Sequence, residues 1–247
     1  EGSNFYCLRE FTARSIRYTH TYGQKTVIGQ CTGWESIALP FAPTSITHAV
    51  NGSMSPFAAQ SKEDKPFWLC ELTHMGFESA DRIEANKPYL IAMPNNDKYS
   101  DEYILAGEVT FSGKDVKVLA SSDLTTDAKD GNIFTPNFVY RDKATCMTLN
   151  VGEEYDGHLP GSLFASNYRQ AKPFEAYVTT AGMMSRKQVW FIEDQTTGLE
   201  EWNIPSSAEI TLAWAQGKVI AKGTRKGDLV TVHDLNGRLL NSVTATG

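Results

Sequence analysis

Hydrophobic and polar residues alternate over short segments of the chain, and a period of two is typical of β-strands. Few windows hold apolar residues at the i, i+3, i+4 and i+7 spacing of an amphipathic helix. Glycine and proline interrupt the pattern about every ten residues, which favours short strands joined by turns. The predicted strands are 5–18, 33–39, 67–72, 88–93, 103–111, 116–119, 138–141, 146–149, 174–179, 189–192, 210–212, 218–221, 229–233 and 239–243.

The segment GWESIALPF, at 33–41, shows how such a strand is read. Alternation places Trp34 on one face with Ser36 and Ala38, and it places Glu35, Ile37 and Leu39 on the other. Pro40 has no N–H to donate, so it ends the ladder pairing. A second segment, PYLIAM at 88–93, is almost wholly apolar and is therefore predicted to be buried on both faces.

Two polar segments suggest how the chain is divided. Residues 121–137 are rich in turn formers and predict a long surface loop or a hairpin. Residues 193–209 are also polar, and we interpret 196–208 as a linker. Beyond it, the Asn236-Gly237 pair predicts a tight hairpin turn. The predicted fold is all-β, with a β-sandwich main domain at 1–195 and a small C-terminal β module at 209–247; a barrel is the alternative for the main domain.

Composition is that of an ordinary globular protein. The chain has 247 residues, of which 41% are hydrophobic and 21% charged, and its net charge is −6. The acidic balance argues against a nucleic-acid partner, which a basic face would favour. No apolar run is long enough to span a membrane. Because the first residue is not Met, we expect that a leader or upstream segment has been removed.

The cysteines and the possible catalytic residues give no strong motif. Cys7, Cys31, Cys70 and Cys146 contain no CxxC pair, so buried thiols are favoured, with one or two disulfides as the alternative. The five histidines lack metal-binding spacing, and no serine lies in a GxSxG context. We therefore predict no catalytic residue and no enzyme. A glycan-cleaving carboxylate pair remains an alternative, with candidates Glu71, Glu78, Asp81 and Glu84, or Glu153, Glu154 and Asp156.

Calcium is the one metal that the loops suggest, although no cofactor is implied. The segments NNDKYSDE, at 95–102, and DLTTDAKDGN, at 123–132, cluster the oxygen ligands that hard cations take. The candidate ligands are Asp97, Asp101, Asp123, Asp127 and Asp130. Neither segment has the spacing of an EF-hand, and turn formation by Asp and Asn explains both segments as well.

Aromatic residues in polar surroundings are the candidate ligand-binding residues. Trp202 lies in the linker beside Glu200 and Glu201, while Tyr155 and Tyr99 are flanked by acids and polar residues. Exposed rings of this kind stack on sugars or enter pockets of a partner protein. Burial in the core is the alternative for each of them.

Four segments together resemble a module of secreted and surface proteins from Bacteroides and Prevotella relatives. They are the Trp strand ending in Leu-Pro-Phe at 34–41, IEANKPYLI at 83–91, LAGEVTF at 105–111 and PFEAY at 173–177. The resemblance covers about 145 residues from first to last. It implies an exported β protein and carries no activity.

The C-terminal segment GDLVTVHDLNGRLLNSV resembles the sorting domains used for type IX secretion. His233 stands where those domains usually have Tyr. The two resemblances imply a cell-surface, outer-membrane-associated or secreted protein. We expect a non-catalytic, adhesin-like function that binds carbohydrate or a host or matrix protein; a spacer module of a longer surface protein is the first alternative, and a glycan-cleaving enzyme is the second.

Overall fold

The computed structural model describes residues 3–27, 29–99, 101–180, 189–192, 211–215, 218–222, 229–233 and 239–244. The protein is all-β, with curled sheets of the β-sandwich type. The chain divides into two compact units, residues 1–198 and 199–247. The predicted linker at 196–208 lies outside the described residues, so the domain boundaries drawn from the sequence stay a prediction.

The larger sheet of the first unit has eight strands among the described residues. Its order is β1-β8-β3-β4-β5-β7-β2, with β6 beside β5, so β1 and β2 are the two ends of the sheet. Neighbours are antiparallel except for β4 and β5. The strands are β1 (Phe11–Tyr22), β2 (Glu35–Ile37), β3 (Ser45–His48), β4 (Gly52–Pro56), β5 (Lys65–Leu72), β6 (Phe77–Ser79), β7 (Tyr89–Ala92) and β8 (Gly107–Val118).

The smaller sheet has the order β14-β12-β11-β13-β10-β9 and is antiparallel in every described pair. Strands β9 and β10, the first two of this sheet along the chain, form a hairpin whose turn residues, Asp130 and Gly131, have φ of 51° and 79°. The hairpin interpretation of 121–137 is therefore confirmed. The strands are β9 (Asp127–Lys129), β10 (Asn132–Pro136), β11 (Met147–Leu149), β12 (Leu163–Ser166), β13 (Ala176–Thr180) and β14 (Val189–Phe191).

The second unit contains two antiparallel pairs. They are β15 (Thr211–Ala215) with β16 (Lys218–Lys222), and β17 (Leu229–His233) with β18 (Leu239–Thr244). The predicted Asn236-Gly237 turn lies outside the described residues, but the two strands that flank it do pair, from Leu229 opposite Thr244 onward.

The larger sheet carries apolar side chains on both faces, which explains its most hydrophobic strands. Leu69 and Ile91 belong to a core enclosed by this sheet, whereas Cys70 and Leu90 belong to a second core shared with the smaller sheet. All four residues of β7 are buried, as the apolar run predicted. The region of β2 also contributes to both cores. Ile37 lies in the first core, and Trp34, just before the strand, lies in the second.

Some predicted strands are wrong in extent. The chain from 103 to 119 forms one long strand from Gly107 rather than two, because the Ser112-Gly113-Lys114-Asp115 segment, which resembles a turn, lies within β8. The prediction of a strand at 138–141 is also wrong; only Arg141 forms an isolated bridge there. Strands β3 and β4 were not predicted, since only two side chains in each are buried.

Three of the four cysteines are buried, namely Cys7, Cys70 and Cys146. Burial, together with the nearby Cys31 and Glu71, raises the pKa of the Cys70 thiol to about 12. Cys31 is half-buried and its thiol donates to the carbonyl of Ile192 over 2.6 Å. Buried thiols were the interpretation that the sequence favoured.

The helices in the described part of the chain are three-residue 3-10 turns. They are Phe57–Ala59, Asp101–Tyr103 and Lys143–Thr145. None of these described helices is long and apolar enough to cross a membrane.

Candidate functional site

A cleft of about 530 Å³ lies where the two end strands of the larger sheet meet loops of the smaller sheet. Strands β1 and β2 form one wall, and residues 169–175 form much of the other. Its lining includes tyrosine rings, a histidine, an arginine, a lysine and two glutamates. A cleft of this size, with a few convergent polar groups, is the usual setting of a small-ligand site.

A row of rings along β1 forms part of the cleft. Tyr18, His20 and Tyr22 are two residues apart, so their side chains share one face of the strand. The His20 ring lies 6.3 Å from that of Tyr18, nearly parallel, and 4.5 Å from that of Tyr22, edge-on. Tyr22 is buried, whereas Tyr18 and His20 are half-exposed and remain accessible from the cleft.

A hydrogen bond between side chains connects the two ends of the larger sheet. His20 Nε2, on β1, lies 2.9 Å from Glu35 Oε2, on β2. A carboxylate has no proton to donate, so the imidazole N–H is the donor in this bond. Glu35 is only 8% exposed, and a buried carboxylate requires such a partner. The pair therefore holds β1 and β2 together at the cleft by side chains.

The opposite wall contains an ion pair. Arg169 Nη1 donates to Glu175 Oε2 over 2.7 Å, and the same oxygen accepts the Lys172 backbone N–H over 2.8 Å. Arg169 also donates to the carbonyls of Leu149 and Gln170. These bonds fix the guanidinium against the smaller sheet and hold the turn at 172–175 in one conformation.

Phe174 joins this turn to both end strands of the larger sheet. Its ring lies 4.7 Å from that of Tyr18 and also packs on Phe5 and Phe138. Its carbonyl accepts the Ala38 N–H over 2.9 Å, next to β2. Its φ is 69°, a conformation that is rare for an aromatic residue. The surrounding contacts keep the backbone in this conformation, and thereby place Lys172 and Glu175 at the cleft.

This arrangement is suited to binding a polar ligand that has apolar faces. Aromatic rings accept the C–H face of a sugar, and carboxylate and guanidinium groups exchange hydrogen bonds with its hydroxyls. Both glutamates already accept a hydrogen bond from a side chain of the protein, His20 for Glu35 and Arg169 for Glu175. The cleft is thus a fixed polar surface before any ligand arrives, which lowers the entropy lost on binding.

The predicted ligand-binding aromatics lie elsewhere. Trp202 is outside the described residues. Tyr155 is half-exposed, with its ring 5.4 Å from that of Tyr168, and it does not line the cleft. The expectation that Tyr99 is exposed is wrong, because only 6% of it reaches solvent. Burial raises the pKa of the Tyr99 hydroxyl.

The predicted calcium ligands are dispersed among other partners. Asp97 pairs with Lys25 over 3.0 Å, and Asp130 lies 3.4 Å from Lys129 in its hairpin turn. Asp101 begins a 3-10 turn, and Asp123 is exposed and accepts the Ser122 hydroxyl. Among the described residues, no three His, Cys, Asp or Glu side chains converge as a metal site requires. Calcium binding by these loops stays a prediction.

Asp127, the remaining calcium candidate, lies near a lysine. Burial raises the pKa of its carboxyl, and the Lys87 ammonium opposes that rise. Lys87 itself bonds to Glu71 on β5. Burial disfavours the charged Lys87, but the bond to Glu71 and the surrounding groups outweigh it, so its pKa is raised. An ammonium group therefore already supplies positive charge beside Asp127.

Reasoning from sequence missed every charged residue of the cleft. The segment Tyr-Thr-His-Thr-Tyr, at 18–22, carries a usable signal, since its rings alternate with threonine as on one face of a strand. The predicted first strand ended at Tyr18 and so left His20 and Tyr22 out. No local signal pairs His20 with Glu35, because the contact depends on how the sheet curls.

Comparison of the chain with known protein families, with curated proteins and with solved structures finds no match. The fold and the geometry of the cleft are therefore the basis for assigning a function.

Proposed function

We propose that this protein is a non-catalytic, exported, adhesin-like binding protein that recognises carbohydrate in the cleft between β1, β2 and residues 169–175. The observation that carries the proposal is the ring row of Tyr18 and His20 beside the His20–Glu35 hydrogen bond and the Arg169–Glu175 ion pair. Together these groups offer a stacking surface and hydrogen-bond partners to one ligand. The resemblance to secreted Bacteroides and Prevotella modules supports export, and a host or matrix glycoprotein would present such a carbohydrate.

Tyr140 provides the most accessible test of the cleft. It lines the rim and is 45% exposed, so truncation should leave the core intact. We expect Tyr140→Ala to weaken glycan binding by about tenfold, the loss typical of a well-placed aromatic contact. Glycan-array binding followed by calorimetry on the positive glycans measures this change.

Tyr6→Ala is the matched control, because Tyr6 is a 69% exposed tyrosine that does not line the cleft. It should bind as the parent does. Glycan binding that Tyr140→Ala leaves unchanged would place the site elsewhere. An array without any binding, by protein shown to be folded, would argue against carbohydrate recognition and favour the spacer alternative.

One observation favours a second function. Glu35 on β2 and Glu175 just before β13 are two carboxylates that line the same cleft, and a glycan-cleaving enzyme uses a pair of carboxylates. The hydrogen bond of Glu35 to His20 and the ion pair of Glu175 with Arg169 favour binding instead, because each carboxylate is engaged within the protein. Release of shortened glycans that stops in both Glu35→Gln and Glu175→Gln would support the enzyme.

A further inference from the structure

Not every charged group of the cleft is paired within the protein. Two carboxylates line it, and each has a partner: Glu35 is hydrogen-bonded to His20, and Glu175 forms an ion pair with Arg169. Lys172 is exposed and lines the same cleft. In the part of the chain that the structure describes, its ammonium has no ion-pair partner. Lys172 therefore presents to the cleft an ammonium group that no carboxylate of the described residues pairs with, on a protein whose net charge is −6.

The backbone of Lys172 is fixed although its side chain is exposed. Its N–H donates to Glu175 Oε2 over 2.8 Å, and its carbonyl accepts Asn137 Nδ2, also over 2.8 Å. Pro173, which follows, is buried. These contacts fix the Lys172 backbone at the cleft, so the ammonium group at the end of its side chain places a positive charge in the cleft.

Arg169 is less suited than Lys172 to forming an ion pair with an anionic group of a ligand. Its Nε and Nη1 are engaged with the Leu149 carbonyl, the Gln170 carbonyl and Glu175 Oε2. Its charge is offset at 2.7 Å by a carboxylate. Lys172 is thus the cationic side chain of the cleft that is most available to form an ion pair with an anionic ligand.

We propose that the ligand is an acidic saccharide. Its carboxylate or sulfate group pairs with Lys172, while a sugar ring lies against the accessible tyrosines of the cleft, Tyr18 and Tyr140. The inference rests on the proposed carbohydrate function and narrows it to one class of glycan. An ammonium group binds both kinds of anion, so a uronic or sialic acid and a sulfate ester share this chemistry.

The test compares acidic glycans with their neutral counterparts on one array. Sialylated and uronic-acid glycans are printed beside their desialylated and methyl-esterified forms, and sulfated glycans beside desulfated ones. We expect binding to the acidic member of at least one pair, and about tenfold weaker binding by Lys172→Glu. Binding should also weaken between 50 and 500 mM salt, since an exposed ion pair is screened. The pair that responds distinguishes the carboxylate from the sulfate.

Lys62→Glu is the matched control, because Lys62 is an exposed loop lysine that does not line the cleft and its variant has the same net charge. A uniform loss in both variants would show a general charge effect and overturn the inference. Equal binding of neutral and acidic glycans, lost in Tyr140→Ala but unchanged in Lys172→Glu, would overturn the acidic ligand and keep carbohydrate recognition. No binding to any glycan would overturn both.

Discussion

Asn86 is one side chain that connects several distant segments of the chain. It is fully buried and has a left-handed backbone, with φ of 56°. Its side-chain amide donates to the carbonyls of Ala120 and Asp123, over 2.7 and 2.9 Å. Its backbone N–H donates to the Leu39 carbonyl over 2.7 Å. A physical requirement thus explains the Asn of the IEANKPYLI segment, since few residues adopt the left-handed backbone conformation and also supply a side-chain amide donor.

Replacing Asn86 should be among the most damaging single changes. We expect Asn86→Ala to lower the free energy of unfolding by about 2–4 kcal/mol, because two buried carbonyls lose their donor and alanine disfavours the left-handed region. Chemical denaturation measures the change. Asn167→Ala is the control, since Asn167 is also left-handed, with φ of 55°, but exposed. An equal loss in the two variants would show that backbone strain alone is responsible.

At the scale of elements, the segment that precedes β2 crosses the segment that precedes β12, and the two backbones are in close contact. The Gly33 N–H donates to the Pro160 carbonyl over 2.9 Å. A Cβ on Gly161 would overlap the backbone nitrogen and oxygen of Trp34, and Gly161 has φ of 74°. Only glycine allows this crossing, which seats Trp34 in the core between the sheets.

Two glycine substitutions separate the effect of crowding from that of backbone strain. Gly161→Ala should lower the unfolding free energy by about 3 kcal/mol or more, because the methyl group collides with the backbone. Gly157→Ala should lower it by about 1 kcal/mol, because Gly157 has a similar φ, 82°, and open space around it. Thermal or urea unfolding of the two variants gives the comparison. Similar losses in both would contradict the close crossing.

Sequence reasoning predicted elements where one local pattern determined the structure. The apolar run of β7 predicted burial on both faces, and the alternation at 33–39 predicted that Trp34 and Ile37 lie on opposite faces, as their membership of different cores shows. Strands with few apolar side chains, such as β3 and β4, have no such signal. The cleft was not predictable in the same way, because His20 meets Glu35 only after β1 and β2 take opposite ends of a curled sheet.

At the scale of the whole molecule, β5 of the larger sheet contacts β9 of the smaller one. A charged group lies on each strand, with Glu71 on β5 and Asp127 on β9, and Lys87 interacts with both. Burial makes the neutral form of Asp127 more favourable in the folded protein than in the unfolded chain. The contribution of Asp127 to the stability of the folded protein therefore depends on pH.

The sign of this dependence follows from the raised pKa of Asp127. The folded state holds the proton more tightly, so the stabilisation from Asp127 is fully present below the unfolded pKa, near 3.8, and is lost as the pH rises through the higher folded pKa. Asp127→Asn stays neutral and should gain stability relative to the parent between about pH 3 and pH 7. Urea unfolding across that range measures the difference.

Asp123→Asn, which alters an exposed carboxyl in the segment just before β9, is the control and should show a smaller change with pH. If the stability of Asp127→Asn relative to the parent stays constant across the range, or falls as the pH rises, the carboxyl does not have the buried environment described for it.

The pairing of β1 with β8 has a consequence for how the chain reaches its folded state. Phe11 lies opposite Val118 and Tyr22 opposite Gly107, so every bond of this ladder closes a loop of more than eighty residues. Pairings so distant in sequence slow folding, since the entropy of closing the loop is lost before the contacts form. Strand β1 thus waits for a partner, β8, that the ribosome synthesises much later. Until Val118 has been made, the side chains that β1 will cover stay accessible to chaperones and proteases.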